Sequence, residues 1–272
     1  MWSIGIYKGD SPYRLQPATE IRNPVLTYES VTDIPATFVA DPFMLRGNMF
    51  FEVLGGDSKG RIGLATSENG LDWSYQQIVL NEEFHLSYPY VFEWDGAIYM
   101  IPETLGAKAV CLYKADDFPT RWSLKARLIE GQHADPSIVR FADRWWLFSC
   151  STPYQHDTLR LYFADELTGP WREHPRSPII RNDKTRARPA GRVLTFNDKL
   201  IRFAQDCGPR YGSQVRAFDV VELTISHYVE VENRVSPILK PGGAGWNALG
   251  MHHVDAHQQT DGSWLACVDG TR

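Results

Sequence analysis

Apolar and polar residues alternate along nearly the whole chain in short runs, and the runs are broken by Asp, Gly, Asn or Pro. Each run reads as a half-buried strand and each break as a turn. IGLATSENGLDWSYQQIVL from Ile62, VCLYKADDFPTRWSLKARLI from Val110 and LRLYFADELTGPWREHPRSPI from Leu159 are versions of one strand–turn–strand phrase, and VRAFDVVELTISHYVEVENRVSPIL from Val215 is a looser one. A fifth version, IGIYKGDSPYRLQPATEIRNPVL, begins at Ile4, before any complete unit has passed. A second phrase, an apolar hairpin, starts at Asp41, Tyr88, Asp135, Arg188 and His252, with steps of 47, 47, 53 and 64 residues.

Two hairpins per period of roughly 40–50 residues make one blade of a β-propeller. The pattern therefore predicts an all-β, five-bladed β-propeller over residues 1–272, one domain, whose fifth blade is closed by the N-terminal strands. A sandwich of unrelated hairpins would explain the strands but not the period. Helical signals are nearly absent, with a short turn expected at Asn81–Phe84. Trp73, Trp122, Trp171, Trp145, Trp146 and Trp264 fall at repeat-equivalent places and read as inter-blade packing, whereas Trp246, in PGGAGWNALG, stands outside the repeat.

A formal net charge of −5, with no run of Lys or Arg longer than a pair, argues against a nucleic-acid surface. The four cysteines fall in or beside four different strands, without metal-site or disulfide spacing. No segment reaches the ~20 apolar residues of a membrane span, and the first residues show no leader pattern. A cytoplasmic protein is the expectation.

Closure would bring the heads of the inner strands together at one mouth. In order these are Asp41, Tyr88, Asp135, Arg188 and the His252–His253 pair, joined by the far ends of the second strands: Glu52, Glu103, Gln205 with Asp206, and Asp269. Unpaired polar groups are costly to gather in one place, so this is where chemistry is expected. An Asp-Pro can also be a simple strand cap, but the other three blades keep the strand without the Asp. Glu52 could instead pair with Arg46 or Arg61. Arg188 and Arg192 should share a face at the mouth, where a guanidinium would hold an anionic ligand group or neutralise Asp135 or Asp206. His253, Asp255 and His257 alternate along one strand, too extended to hold a metal unaided, so no metal ligands are assigned.

A five-bladed propeller with Asp heading its first and third blades resembles the furanosidase-type glycosidases, glycoside hydrolase families 43 and 62, and the fructan-acting families 32 and 68. The phrases FVADPFM, HLSYPYVFEW, MIPE, ADPSI, RWWLF, ADELTGPW, ARPAGRV, QDC, YGSQVRAF and GWNALGMHH resemble, over essentially the whole chain, bacterial proteins with the N-terminal domain of glucosamine inositolphosphorylceramide transferase. The glycosidase resemblance implies Asp41 as base or nucleophile and Asp135 as the orienting carboxylate. The families' acid is a fourth-blade Glu, and Arg188 stands there instead, leaving Glu103, or Asp206, as the candidate acid. Tyr88, Arg188, His252, His253 and Trp246 would bind substrate. No cofactor is required, although the resemblance allows a structural calcium ion in the central channel. The expected function is a furanosidase-like glycoside hydrolase acting on a small or terminal sugar. The alternative is a non-catalytic module that binds a glycan or glycolipid beside a glycosyltransferase. Either way the partner is a small carbohydrate or glycoconjugate, anionic if Arg188 contacts it.

Overall fold

The computed structural model describes residues 1–272. The chain opens with β1 (Trp2–Ser11) and β2 (Arg14–Pro17). It then lays down the first blade as β3 (Ala36–Leu45), β4 (Asn48–Gly55), β5 (Gly60–Thr66) and β6 (Ser74–Leu80). The second blade is β7 (Ser87–Trp94), β8 (Ala97–Glu103), β9 (Ala109–Asp117) and β10 (Arg121–Glu130). The third is β11 (Ala134–Phe141), β12 (Arg144–Cys150), β13 (Leu159–Ala164) and β14 (Arg172–Glu173). The fourth is β15 (Arg188–Pro189), β16 (Leu194–Phe196), β17 (Lys199–Asp206), β18 (Gln214–Leu223) and β19 (Tyr228–Glu232). Finally β20 (Val254–Gln258) and β21 (Trp264–Thr271) join β1 and β2 in the order β2-β1-β21-β20.

This is the expected five-bladed propeller, and its fifth blade is the expected composite. β1 and β21 pair in unbroken register from Trp2 opposite Thr271 to Gly9 opposite Trp264. Closing the ring this way pairs the first strand of the chain with the last, inside one four-stranded blade.

The blades are held together by apolar clusters lying between sheets. The largest joins Phe43 and Phe50 of the first blade, Tyr88 to Tyr113 of the second, and Trp145 and Leu147 of the third. Trp122 stands edge-on to Phe50 at 5.4 Å, and Trp264 to Phe196 at 5.5 Å. Such aromatic contacts add about 0.5–1.5 kcal/mol each beyond area burial. Trp73, Trp122 and Trp171 also share one hydrogen bond, from the indole N–H back to the carbonyl of Gly70, Pro119 or Leu167 in the preceding turn. The repeat thus keeps Trp both to fill the seam and to fasten its own hairpin. All four cysteines are free and buried.

The structure departs from the sequence reading in the fourth blade and one loop. The inner strand there is not continuous: it breaks at Gly191, whose φ of 129° and bridge to Val254 tie the fourth blade directly to the fifth. A Cβ on Gly191 would lie 1.8 Å from the Val254 carbonyl oxygen. Asn81–Phe84 is irregular rather than helical; the short 3-10 turns occur at Tyr28–Ser30, Leu105–Ala107 and Gly245–Asn247. No helix is long and apolar enough to cross a membrane.

Candidate functional site

Three inner strands carry the same backbone device, near the start of β7 and β11 but midway along β3, which begins five residues before Asp41. Asp41, Tyr88 and Asp135 adopt φ of 52°, 48° and 50°, each precedes a Pro, and each sits where the register to the second strand slips. Left-handed backbone is strained for residues other than Gly and is tolerated best by Asn and Asp. The bulge turns the residue's N–H away from its own sheet, leaving a donor to be satisfied. For two of the three, a carboxylate on the preceding blade does so. Asp269 Oδ2 accepts from the Asp41 N–H at 3.1 Å, and Glu103 Oε2 accepts from the Asp135 N–H at 3.2 Å.

The expected residues do converge, and they are almost wholly buried. Arg188 binds the Asp135 carboxylate through Nε at 2.6 Å and through the guanidinium N–H at 3.2 Å, and reaches Glu103 Oε2 at 3.3 Å. Its remaining donors go to the Pro153 carbonyl at 3.1 Å and His156 Nδ1 at 3.0 Å. Gln205 adds a bond to Asp135 at 2.7 Å. Every donor of the guanidinium is therefore spent inside the protein, and the Tyr211 ring packs 5.1 Å over it. Of the two roles open to Arg188 from sequence, the geometry shows neutralisation of Asp135. Asp206, the alternative acid, is held by Gln214 and Arg216 and takes no part in this network.

Charge is tuned strongly here. Burial, together with the nearby Asp135, Glu52 and Asp269, pushes the Asp41 carboxyl well above the usual range, although Arg188 opposes the shift. Burial pushes Glu103 up to about 8, against the pull of Arg188 and with the push of Asp135. Asp269 behaves oppositely: burial would raise it, but His252 and the backbone donors around it hold it below the usual value. Its Oδ1 accepts from His252 Nδ1 at 2.7 Å and from the backbone N–H groups of His252 and His253. That bond fixes the His252 ring so that Nε2 faces Asp41 Oδ1 at 3.7 Å. Trp2 stacks on the other side of this ring at 3.9 Å.

Asp41 Oδ1 has no hydrogen-bond partner, nor has either ring nitrogen of His253, which lies 3.7 Å from it. Burial lowers His253 to about 4, only partly offset by Asp269 and Asp255, so the ring is neutral. Asp41, His252 and Asp269 bring donor atoms within 4.8 Å of one another. The calcium ion allowed by the resemblance nevertheless does not fit. Calcium takes six to eight oxygens; here Asp269 already accepts four hydrogen bonds, leaving the two Asp41 carboxyl oxygens and imidazole nitrogens.

The other assigned residues serve the scaffold. The Tyr88 hydroxyl accepts from the Gly191 N–H at 2.6 Å and bonds the Gly191 carbonyl and Ser137, so its capacity is used. Trp246 lies against Gly5 and Gly270, where an added Cβ would meet its ring at 2.7 Å. Arg192 does not share the mouth with Arg188: the break at Gly191 turns it down the channel to Asp255 at 2.7 Å. Glu52 approaches His85 at 3.1 Å, while Arg46 and Arg61 pair with Glu93 and Asp57. His156, Tyr211 and Trp2 were missed in the sequence, because the first two lie in loops outside the repeat and Trp2 sits in the split unit.

Cavities of about 720, 450 and 390 Å3 open elsewhere. What the mouth leaves unpaired is the Asp41 carboxyl group, His252 Nε2 and the exposed part of Tyr211. Asp41 Oδ1 is itself buried and lies 3.7 Å from His252 Nε2.

A family model described as glucosamine inositolphosphorylceramide transferase 1, N-terminal, matches residues 1–271. The chain is 37% identical over 297 residues to glucosamine inositolphosphorylceramide transferase 1 of Oryza sativa subsp. japonica, covering all of this chain and 40% of that protein. The Arabidopsis thaliana protein of the same name is 34% identical, again over the whole chain and 39% of its own length. The chain thus spans about two fifths of these relatives. They are plant proteins, and none of them supports the bacterial setting expected from sequence. Among solved structures, the catalytic domain of a Coprinopsis cinerea family 62 α-L-arabinofuranosidase superposes with a TM-score of 0.63 at 11% identity, covering 97% of this chain and 96% of that one. A Cellvibrio cellulosa α-L-arabinanase gives 0.59 at 15% identity, covering 88% and 93%. At such identities the likeness is one of fold.

Proposed function

Since the chain belongs to the family of the N-terminal region of glucosamine inositolphosphorylceramide transferase 1, we propose that its mouth recognises a sugar ring of a glycoconjugate and serves a glycosyl-transfer system without itself cleaving glycosides. Arg188 carries this reading. It stands where the glycosidases it resembles would place an acid, and it binds both Asp135 and Glu103. Hydrolysis needs one protonated and one ionised carboxyl group facing the sugar. Here Asp41 and Glu103 are both pushed toward the protonated form, and the charge of Asp135 is taken up by Arg188 and Gln205. A protonated Asp41 beside a fixed imidazole is suited to hydrogen-bonding a sugar hydroxyl, with Tyr211 offering a ring face. The relatives' name joins glucosamine to inositolphosphorylceramide, which makes a glycolipid headgroup the first ligand class to try. Because every donor of Arg188 is spent, the recognised ring need not be anionic.

The experiment is a titration of the protein with monosaccharides, inositol and glycosylated inositols, run beside hydrolysis assays on aryl furanosides and glycosides. Binding without turnover, weakened in Asp41→Asn, is expected. A second reading, glycoside hydrolysis, is favoured by one observation: Glu103 at about 8 would still carry the proton a general acid needs. Turnover that disappears in both Asp41→Asn and Glu103→Gln would decide for that reading and against recognition alone.

A further inference from the structure

We propose that the groove between the fourth and fifth blades is a second ligand site, for a phosphorylated polyol or sugar. It holds about 720 Å3, within the range of small-molecule sites. One wall is the β1–β2 hairpin, with Tyr7, Tyr13, Arg14 and Gln16; the other is the loop after β19, with Lys240 and the glycine-rich turn leading to Asn247. No Asp or Glu lines it, although the chain carries a net charge of −5.

Its two cations have no close partner, although the Tyr13 hydroxyl donates to Asp219 at 2.6 Å and the Tyr7 hydroxyl to Met251 Sδ. Lys240 forms no ion pair or hydrogen bond with the protein, and Arg14 has only a distant approach from Asp10, at 3.9 Å. The Asn247 side-chain amide donates to the Tyr7 hydroxyl at 3.2 Å, while its Oδ1 accepts nothing. The Gly242 N–H closes the turn onto the Asn247 carbonyl, but the amides of Gly243 and Ala244 donate to no protein group. Cβ atoms on Gly243 or Gly245 would meet nothing within 4 Å, so open space adjoins the turn.

Two free cations and unpaired amides suit a phosphate. Asn247 Oδ1 and Gln16 suit hydroxyls, and the Tyr13 ring with Leu15 and Ile238 suits the apolar face of a ring. The site lies apart from the mouth and does not rest on the reading given above for it. A free phosphate ester and a lipid headgroup share this chemistry.

The test uses the intact chain and myo-inositol 1-phosphate, titrated by calorimetry, beside phosphatidylcholine vesicles with and without phosphatidylinositol. The Arg14→Ala/Lys240→Ala variant should weaken binding about tenfold or more. Arg121→Ala/Lys125→Ala, which removes equal charge from the second blade, should change it less than about twofold. Both double variants alter exposed side chains and should melt with the parent. Saturable binding of the soluble ester without vesicle capture assigns a free ester; capture that needs phosphatidylinositol and is lost in Arg14→Ala/Lys240→Ala assigns a headgroup. The proposal is overturned if neither probe saturates by about 10 mM. Equal affinity of the groove variant and the parent, or equal loss in both double variants, overturns it too.

Discussion

Replacing Arg188 with Met tests the central claim about the mouth, that its arginine is an internal counter-ion. The guanidinium is more than nine-tenths buried, as are both acids it touches. Methionine fills much of the same volume but leaves the Asp135 carboxylate with Gln205 as its only side-chain donor, and leaves the Pro153 carbonyl and His156 unpaired. Breaking a buried ion pair from one side costs about 3–5 kcal/mol. At about 2–4 °C per kcal/mol for a domain of this size, the melting temperature should fall by about 6–20 °C. Pairing the change with Asp135→Asn removes the stranded charge, keeps an acceptor for Gln205, and suits the left-handed backbone at that position. The double variant should regain at least about half of the loss. Urea unfolding followed through the nine tryptophans measures both variants. A loss below about 1 kcal/mol, the scale of a surface pair, or a double variant no better than the single, would refute the counter-ion argument.

Other outcomes follow from particular residues. Glu103 is raised in the folded state, so its favourable contribution is complete below the unfolded carboxyl pKa and disappears as pH rises through about 8. Glu103→Gln should therefore flatten the stability profile between about pH 4.5 and 8, and an unchanged slope in that window would contradict the placement. His253 is depressed to about 4, so the stability it contributes is present above its unfolded value and drains as pH falls toward 4; His253→Phe should blunt that acid loss in the same titration. Glu230→Ala strands the fully buried Arg202, which Glu230 holds through two bonds at 2.8 Å; a loss of about 3–5 kcal/mol is expected in urea unfolding. Gly191→Ala forces a Cβ onto the Val254 carbonyl and should abolish the cooperative melt or lower it by more than about 10 °C.

The blade repeat, the count of five and the closure of the last blade by the N-terminus could all be read from the chain. Alternation and turn residues are local properties, and each unit restates them. The convergence of Asp41, Glu103, Asp135, Arg188 and His252 followed from the count, because a closed ring fixes which ends of which strands meet. The sequence could not show what these residues do to one another. Arg188 serves either a ligand or Asp135 depending on a few ångströms and one side-chain rotamer, and Gly191 alone turns Arg192 away from it. His156 and Tyr211 complete the mouth from loops that follow no period. Protonation of Asp41 and Glu103 depends on burial and on charges remote in the chain. Periodicity fixes where backbones run; packing across the channel decides which polar atoms are left for a ligand.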